Sequence, residues 1–177
     1  MGQRYCRIRS FRVTLQYFIK YIELINFHSH GFFLEDGIEI RNLLEHNLGF
    51  VTRYGTLLPT DRNSDYCKTI QSRDFNGNPT DTATCNALAT YWVENPNNDL
   101  IGNVAAGSAH MAYWYIFPYQ PTGPSKQAGI DLKVFPQTTP LGRFDNNVAH
   151  SNLGGLHFDD GVKTTEASAS EPQEVFF

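Results

Sequence analysis

Self-similarity constrains this chain more than any other feature. HSHGFF (28–33) superposes on HNLGFV (46–51) at an offset of 18, matching His28 with His46 and Gly31 with Gly49. NLLEHNLG (42–49) matches NVAHSNLG (147–154) at an offset of 105, and GNVAAGS (102–108) matches NNVAHSN (146–152) at an offset of 44. GFFLEDG (31–37) echoes GLHFDDG (155–161) with a slip of one residue, as a turn of variable length would produce. The apolar pieces inside these repeats, among them Phe32–Leu34, Phe50–Val51 and Leu156–Phe158, are strand-sized and bounded by Gly, Asn and Asp. Repeats of about 20 residues with Asn and Gly at fixed offsets describe a solenoid of β-coils. Asn tolerates the left-handed conformation that coil corners demand, and stacked copies form ladders between coils ~4.8 Å apart. The rival solenoid, the leucine-rich repeat, needs an L-x-x-L-x-L frame that never occurs. The reading is all-β: a parallel β-helix segment with long inserted loops.

Composition agrees. Of 177 residues only 18% are charged and 14% are aromatic, with 14 Gly and 9 Pro, which excludes coiled coils, long helical bundles and disorder. We place a segment outside the repeats at 1–27, coils over 28–163 with insertions at about 52–100 and 118–140, and a loosely held tail at 164–177. Leu34, Leu44, Leu48, Val104, Val148 and Leu153 are expected in one elongated core, with Asn47 and Asn152 at equivalent corners.

Residues 1–20 hold Arg4, Arg7, Arg9, Arg12 and Lys20 and no acid, so the remaining 9 basic and 18 acidic groups give −9. A nucleic-acid partner needs a basic face on the folded part and is excluded. The opening segment is interrupted by Lys20 and Glu23 and lacks a small-residue cleavage site, so no signal peptide is expected in it. It is also too short and too charged to span a membrane. Cys67 and Cys85 bracket a polar stretch that a disulfide would pin by about 3 kcal/mol; the alternative is two free thiols. Cys6 is left over, and no Cys-x-x-Cys or Cys/His cluster marks a metal site.

The strings GFFLEDGIE (31–39), HNLGFVTRYGTLLPTDRNSDYC (46–67), NPNNDLIGNVAAGS (95–108), PTGPS (121–125), PLGRFDNNVAHSN (140–152) and GVKTTEASA (161–169) are co-linear with one group of animal ectodomains. They resemble the family of the cell migration-inducing and hyaluronan-binding protein, transmembrane protein 2 (a cell-surface hyaluronidase) and fibrocystin-L. The likeness runs from about His28 to Ala169, and residues 1–27 do not share it. It implies an extracellular or cell-surface right-handed β-helix with hyaluronan or a related polysaccharide as partner, joined to a membrane only through other parts of a parent protein. It leaves two functions open: a piece of a hyaluronan-depolymerising enzyme, inactive alone, or a non-catalytic structural or adhesion module like fibrocystin-L.

Glycoside hydrolysis wants two carboxyl groups about 5–9 Å apart on one groove. Glu35 and Asp36 are the acids that such chemistry could draw on, with His30 and His46 as general acid or base. Asp-Gly is also a common turn signature, so Asp36 and Asp160 equally suit turns, and Glu35 would stack on Arg53 at the offset of 18. His28, His150 and the alternating run Tyr113–Trp114–Tyr115 are the sugar-binding candidates. In that run Tyr113, Tyr115 and Phe117 share one face and Trp114 and Ile116 the other; one face must be core. No cofactor is indicated, and calcium, which could bridge an acidic chain to a polyanion, has no ligand motif here.

Overall fold

The computed structural model describes residues 6–8, 16–53 and 88–159, with the backbone alone for 6–8 and 159. Cys67, Cys85, Asp160 and the tail lie outside the described residues. Among the described residues thirteen short strands run β1 (Cys6–Ile8), β2 (Phe18–Lys20), β3 (Glu23–His28), β4 (Phe32–Leu34), β5 (Leu43–Glu45), β6 (Leu48–Arg53), β7 (Ala89–Val93), β8 (Asp99–Ile101), β9 (Val104–Ala106), β10 (Met111–Ile116), β11 (Phe144–Asp145), β12 (Val148–His150) and β13 (Gly154–Asp159). They form three sheets: A, ordered β1-β4-β7-β10-β13; B, ordered β11-β8-β5-β2; and C, ordered β12-β9-β6-β3. Every pairing is parallel. The chain visits B, C and A in turn and then starts the next coil, which makes the fold a parallel β-helix.

Corners, more than strands, dictate this path. Between sheets B and C, Tyr21, His46 and Asn146 take positive φ values of 57°, 53° and 53°, in line with Gly102 at 62°. Each is followed by the residue that carries the ladder. Ile22 N donates to Asn47 Oδ1, Asn47 N to Asn103 Oδ1 and Asn103 N to Asn147 Oδ1, all at 2.9–3.0 Å. The Nδ2 groups of Asn47 and Asn103 donate to the next Oδ1 as well. A second ladder at the A–B corner joins Tyr17, Asn42 and Asn98. An Asn amide suits this position because it offers an acceptor to the backbone above and a donor to the coil below.

The ladder gives the true spacings, 25, 56 and 44 residues from one coil to the next. The repeat at 44 is borne out: Val104 pairs with Val148. The offset of 18 is not, because His28 lies beside Arg53 and His46 stacks under Tyr21 with ring centroids 5.6 Å apart. Arg53 therefore does not stack on Glu35; its Nε donates to Asn26 Oδ1. The offset of 105 is also one corner out of step, since the rung of Asn147 holds Asn47 and not Asn42, while Asn152 sits against Ser108.

The core is filled from sheet A. Phe32, Tyr91 and Tyr113 stack at 4.6 and 4.7 Å, Tyr115 stacks on Phe158 at 5.3 Å, and Leu34, Leu44 and Leu100 complete the cluster. Tyr91 and Tyr113 cross the core and donate their hydroxyls to the carbonyls of Asn47 and Asn103 at 3.0 and 2.9 Å. On sheet C, where the Tyr91 and Tyr113 hydroxyls arrive, the inward positions of the two central coils are the small residues Gly49 and Ala105, in line with Leu24 on the coil before; a Cβ on Gly49 would lie 2.1 Å from Thr90 Cγ2. Leu48, Val104, Val148 and Leu153, expected inside, consequently sit on the outer side, with Val148 46% and Leu153 44% exposed.

Two expected boundaries move. The coils begin upstream of residue 28, because β2 and β3 pair with β5 and β6. The insertion at 52–100 ends earlier than its polar composition suggests, since β7 and β8 are fully integrated strands. The excursion at 118–140 does leave the sheets; it carries α1 (Lys126–Asp131) between single 3₁₀ turns at Gly123–Ser125 and Pro136–Thr138.

Candidate functional site

The expected acids collect where sheet A hands the chain to sheet B. Leu34 pairs with Val93, so Glu35 and Glu94 leave adjacent strands side by side. Gly37, at φ +76°, turns the chain beneath Pro136, and Glu39 comes back far enough for its Oε2 to accept from Asp36 N at 3.2 Å. Asn95 and Asn98 pin this turn by donating to the carbonyls of Gly37 and Glu39, both at 2.7 Å. Glu35, Asp36, Glu39 and Glu94 are all at most 3% exposed.

A strap closes over them. From the excursion, Thr122 donates its N–H to Asp36 O at 2.9 Å and its hydroxyl to Glu94 Oε2 at 3.0 Å, while Ser125 Oγ donates to Asp36 Oδ2 at 2.7 Å. Trp92 Nε1 donates to the other oxygen of Glu94 at 3.3 Å. Burial, with Asp36 and then Glu35 adding repulsion, pushes the Glu39 carboxyl up to about 8, so it holds its proton at neutral pH. A protonated acid beside other carboxyls is the pairing that glycosidases use. Here it is sealed from any polymer.

Gly123 makes the seal possible. Its φ is +52°, and a Cβ there would lie 2.6 Å from Asp36 Oδ1. Gly123→Ala is expected to lift the strap from the acids, costing about 1–3 kcal/mol from the strained backbone and displaced carboxylate. Limited proteolysis within 118–138, compared with the same cut in wild-type protein, reads the effect; an unchanged rate would show that the strap is held elsewhere.

His30 lies beside this cluster, not in it. It stacks on Phe33 at 4.8 Å and contacts Trp92 at 4.4 Å, within an outer row of sheet A that runs Phe33, Trp92, Trp114 and His157. Its Nδ1 accepts from Ala89 N at 3.1 Å, and its Nε2 has no hydrogen-bond partner among the described residues. Burial lowers its pKa to about 3, with His110 adding to the effect, so the ring is neutral. His46, by contrast, occupies the B–C corner beside Glu45, with half its side chain exposed. The structure thus separates His46 from Glu35, Asp36 and His30.

The aromatic run is buried on both faces. Tyr113 and Tyr115 point into the core as one face of the run was expected to, and Trp114, on the opposite face, is only 2% exposed against Trp92 and His110. The other two sugar-binding candidates do share a surface: His28 and His150 both project from sheet C, at exposed positions. Among the described residues no group of three His, Cys, Asp or Glu side chains is placed to hold a metal ion. Nor is any helix among them long and apolar enough to cross a membrane.

Sequence reasoning missed Glu39, Glu94 and His110. Glu94 was findable, because ENPNN repeats the Glu and Asn of EDGIEIRN around a turn three residues shorter.

A protein-family model described as CEMIP beta-helix matches residues 5–156. The human cell surface hyaluronidase CEMIP2 is 53% identical over 148 residues, covering 82% of this chain and 10% of that protein. The mouse cell migration-inducing and hyaluronan-binding protein is 47% identical over 155 residues, covering 86% of this chain and 11% of its own length. Mouse fibrocystin-L is 34% identical over 121 residues, 68% of this chain and 2% of its own. The chain thus spans about a tenth of the length of the first two of these relatives.

Proposed function

Because the chain belongs to the CEMIP beta-helix family, we propose that it is a polysaccharide-contacting β-helix segment of an extracellular or cell-surface ectodomain that binds or depolymerises hyaluronan, and that it has no hydrolytic activity alone. The observation that carries the second half is the sealed acid cluster. Glycosidic cleavage needs both carboxyl groups in reach of the bond, and Glu35, Asp36, Glu39 and Glu94 are buried under Thr122 and Ser125. These groups act as a lock that fixes the strap to the coils. The same burial also suits a structural or adhesive module like fibrocystin-L, which differs in having no part in catalysis.

The test incubates the purified chain with high-molecular-weight hyaluronan and follows both retention and polymer length, with and without calcium. Retention without shortening is expected. Shortening that disappears in Glu39→Gln or Glu35→Gln would establish the fragment as an enzyme, and absence of retention would favour the structural module.

A further inference from the structure

We infer that the outer face of sheet C is the surface on which this β-helix meets a polyanionic polysaccharide; the inference rests on the functional reading above and assigns it a place. The three faces differ sharply. The outer row of sheet A is buried, with Phe33, Trp92 and Trp114 at most 2% exposed. Sheet B presents Glu45, Asp99 and Asp145, and its cations are already engaged: Lys20 Nζ lies 2.5 Å from Glu45, and Arg143 2.6 Å from Asp145. A polyanion would meet carboxylates there. Sheet C is left.

Its outer side combines two chemistries. Ile25 and Phe50 are paired neighbours in one row, 59% and 43% exposed, and Val148, 46% exposed, stands on the same face in the adjacent row. Sugar rings present C–H faces that pack on such a surface. Around it stand Arg53 beside His28 on one side and His150 at the far end, in register with Phe50 through Ala106. Glu23 is the only acid on this face among the described residues. In a segment whose net charge is −9 once residues 1–20 are set aside, that is where a carboxylate-bearing chain encounters the least repulsion. Arg53 is also held ready, because its Nε bond to Asn26 Oδ1 orients the guanidinium and leaves its terminal N–H groups for a ligand carboxylate.

Rows of the sheet follow the coil axis at about 4.8 Å per step. An extended sugar chain lying along the axis can therefore follow the row of Ile25, Phe50 and His150, with Arg53 three residues along the strand from Phe50 to flank it on one side.

The experiment is titration of the full chain with a hyaluronan decasaccharide, and separately with chondroitin of the same length, by calorimetry. Arg53→Glu and Phe50→Ser are compared with Arg143→Glu on sheet B, each checked for fold by circular dichroism. The two sheet C variants are expected to weaken binding by about tenfold or more, and the sheet B variant by less than about twofold. Binding that survives both sheet C variants overturns the surface but leaves the functional reading intact. Binding of chondroitin but not hyaluronan, lost in the sheet C variants, supports the surface and overturns hyaluronan as the ligand. No binding of either sugar overturns both. Unchanged sugar binding together with self-association that Phe50→Ser abolishes assigns the face to a protein contact, and that also overturns the proposal.

Discussion

Asn103→Ala is expected to cost about 3–6 kcal/mol of unfolding free energy, a large share of the ~5–15 kcal/mol that holds an ordinary domain together. Asn103 is fully buried at the centre of the B–C ladder. Its Oδ1 accepts from both Asn47 N and Asn47 Nδ2, and its Nδ2 donates to Leu44 O and Asn147 Oδ1, all between 2.9 and 3.0 Å. Alanine leaves two donors of Asn47 and the Leu44 carbonyl stranded in a site without room for bulk water, each at about 1–3 kcal/mol. Asn152 is the natural comparison. It makes analogous bonds to Ser108 N and Ala105 O, but it is only half-buried on the last described coil, so solvent can replace it. Asn152→Ala should cost about 1 kcal/mol. Urea unfolding of the two variants decides the matter: equal losses would mean that the ladder decorates the corners and does not build them.

That ladder also explains what could be read from the sequence and what could not. The β-helix was legible because Asn-Leu and Asn-Val recur where every coil must turn, as at Asn47–Leu48, Asn103–Val104 and Asn147–Val148. The pairing of coils was not, because successive coils differ in length by whatever is inserted at a corner, and an ungapped comparison finds the wrong partner. His28 was matched to His46 on that account, although sheet C pairs it with Arg53. The inside–outside pattern failed on sheet C for a different reason. A strand is ordinarily read with its large apolar residues inward, but on the two central coils, where the Tyr91 and Tyr113 hydroxyls arrive, Gly49 and Ala105 turn in and Leu48 and Val104 turn out. The acids suffered least. Glu35 and Asp36 were identified from a local motif; Glu94 joins them only through the coil contact across 58 or 59 residues that the bonds from Asn95 and Asn98 record, whereas Glu39 is local, three residues from Asp36, and carries no turn or strand signal of its own.

Stability should be highest in a mildly acidic plateau, from about pH 4.5 to 6.5, and should fall on both sides of it. Two buried groups set the limits. Glu39 titrates at 4.5 in an unstructured chain and at about 8 in the fold, so its raised pKa contributes stability that is complete below 4.5 and lost as pH climbs to 8. His30 titrates at 6.5 unfolded and at about 3 folded, so its contribution is complete above 6.5 and lost as pH falls to 3. Between 4.5 and 6.5 the slopes of Glu39 and His30 oppose each other and cancel, and His110, lowered by burial, tilts the range toward its upper end. Above 6.5 only that of Glu39 remains, at up to about 1.4 kcal/mol per pH unit, which removes roughly 2 kcal/mol by pH 8. Below 4.5 that of Glu39 is gone and His30 removes a similar amount by pH 3, in the same direction as His110, held down by burial, and Glu45, held down by Lys20. The variants isolate each limb. Glu39→Gln keeps a neutral side chain of the same shape that accepts from Asp36 N, and it should flatten the alkaline limb while leaving the acid one. His30→Gln should lessen the acid limb while leaving the alkaline one. Substitution at a buried site also shifts stability by an amount independent of pH, so the slopes of urea midpoint against pH carry the answer and the offsets do not. An alkaline fall that persists in Glu39→Gln would place the controlling ionisation outside the strap-covered cluster.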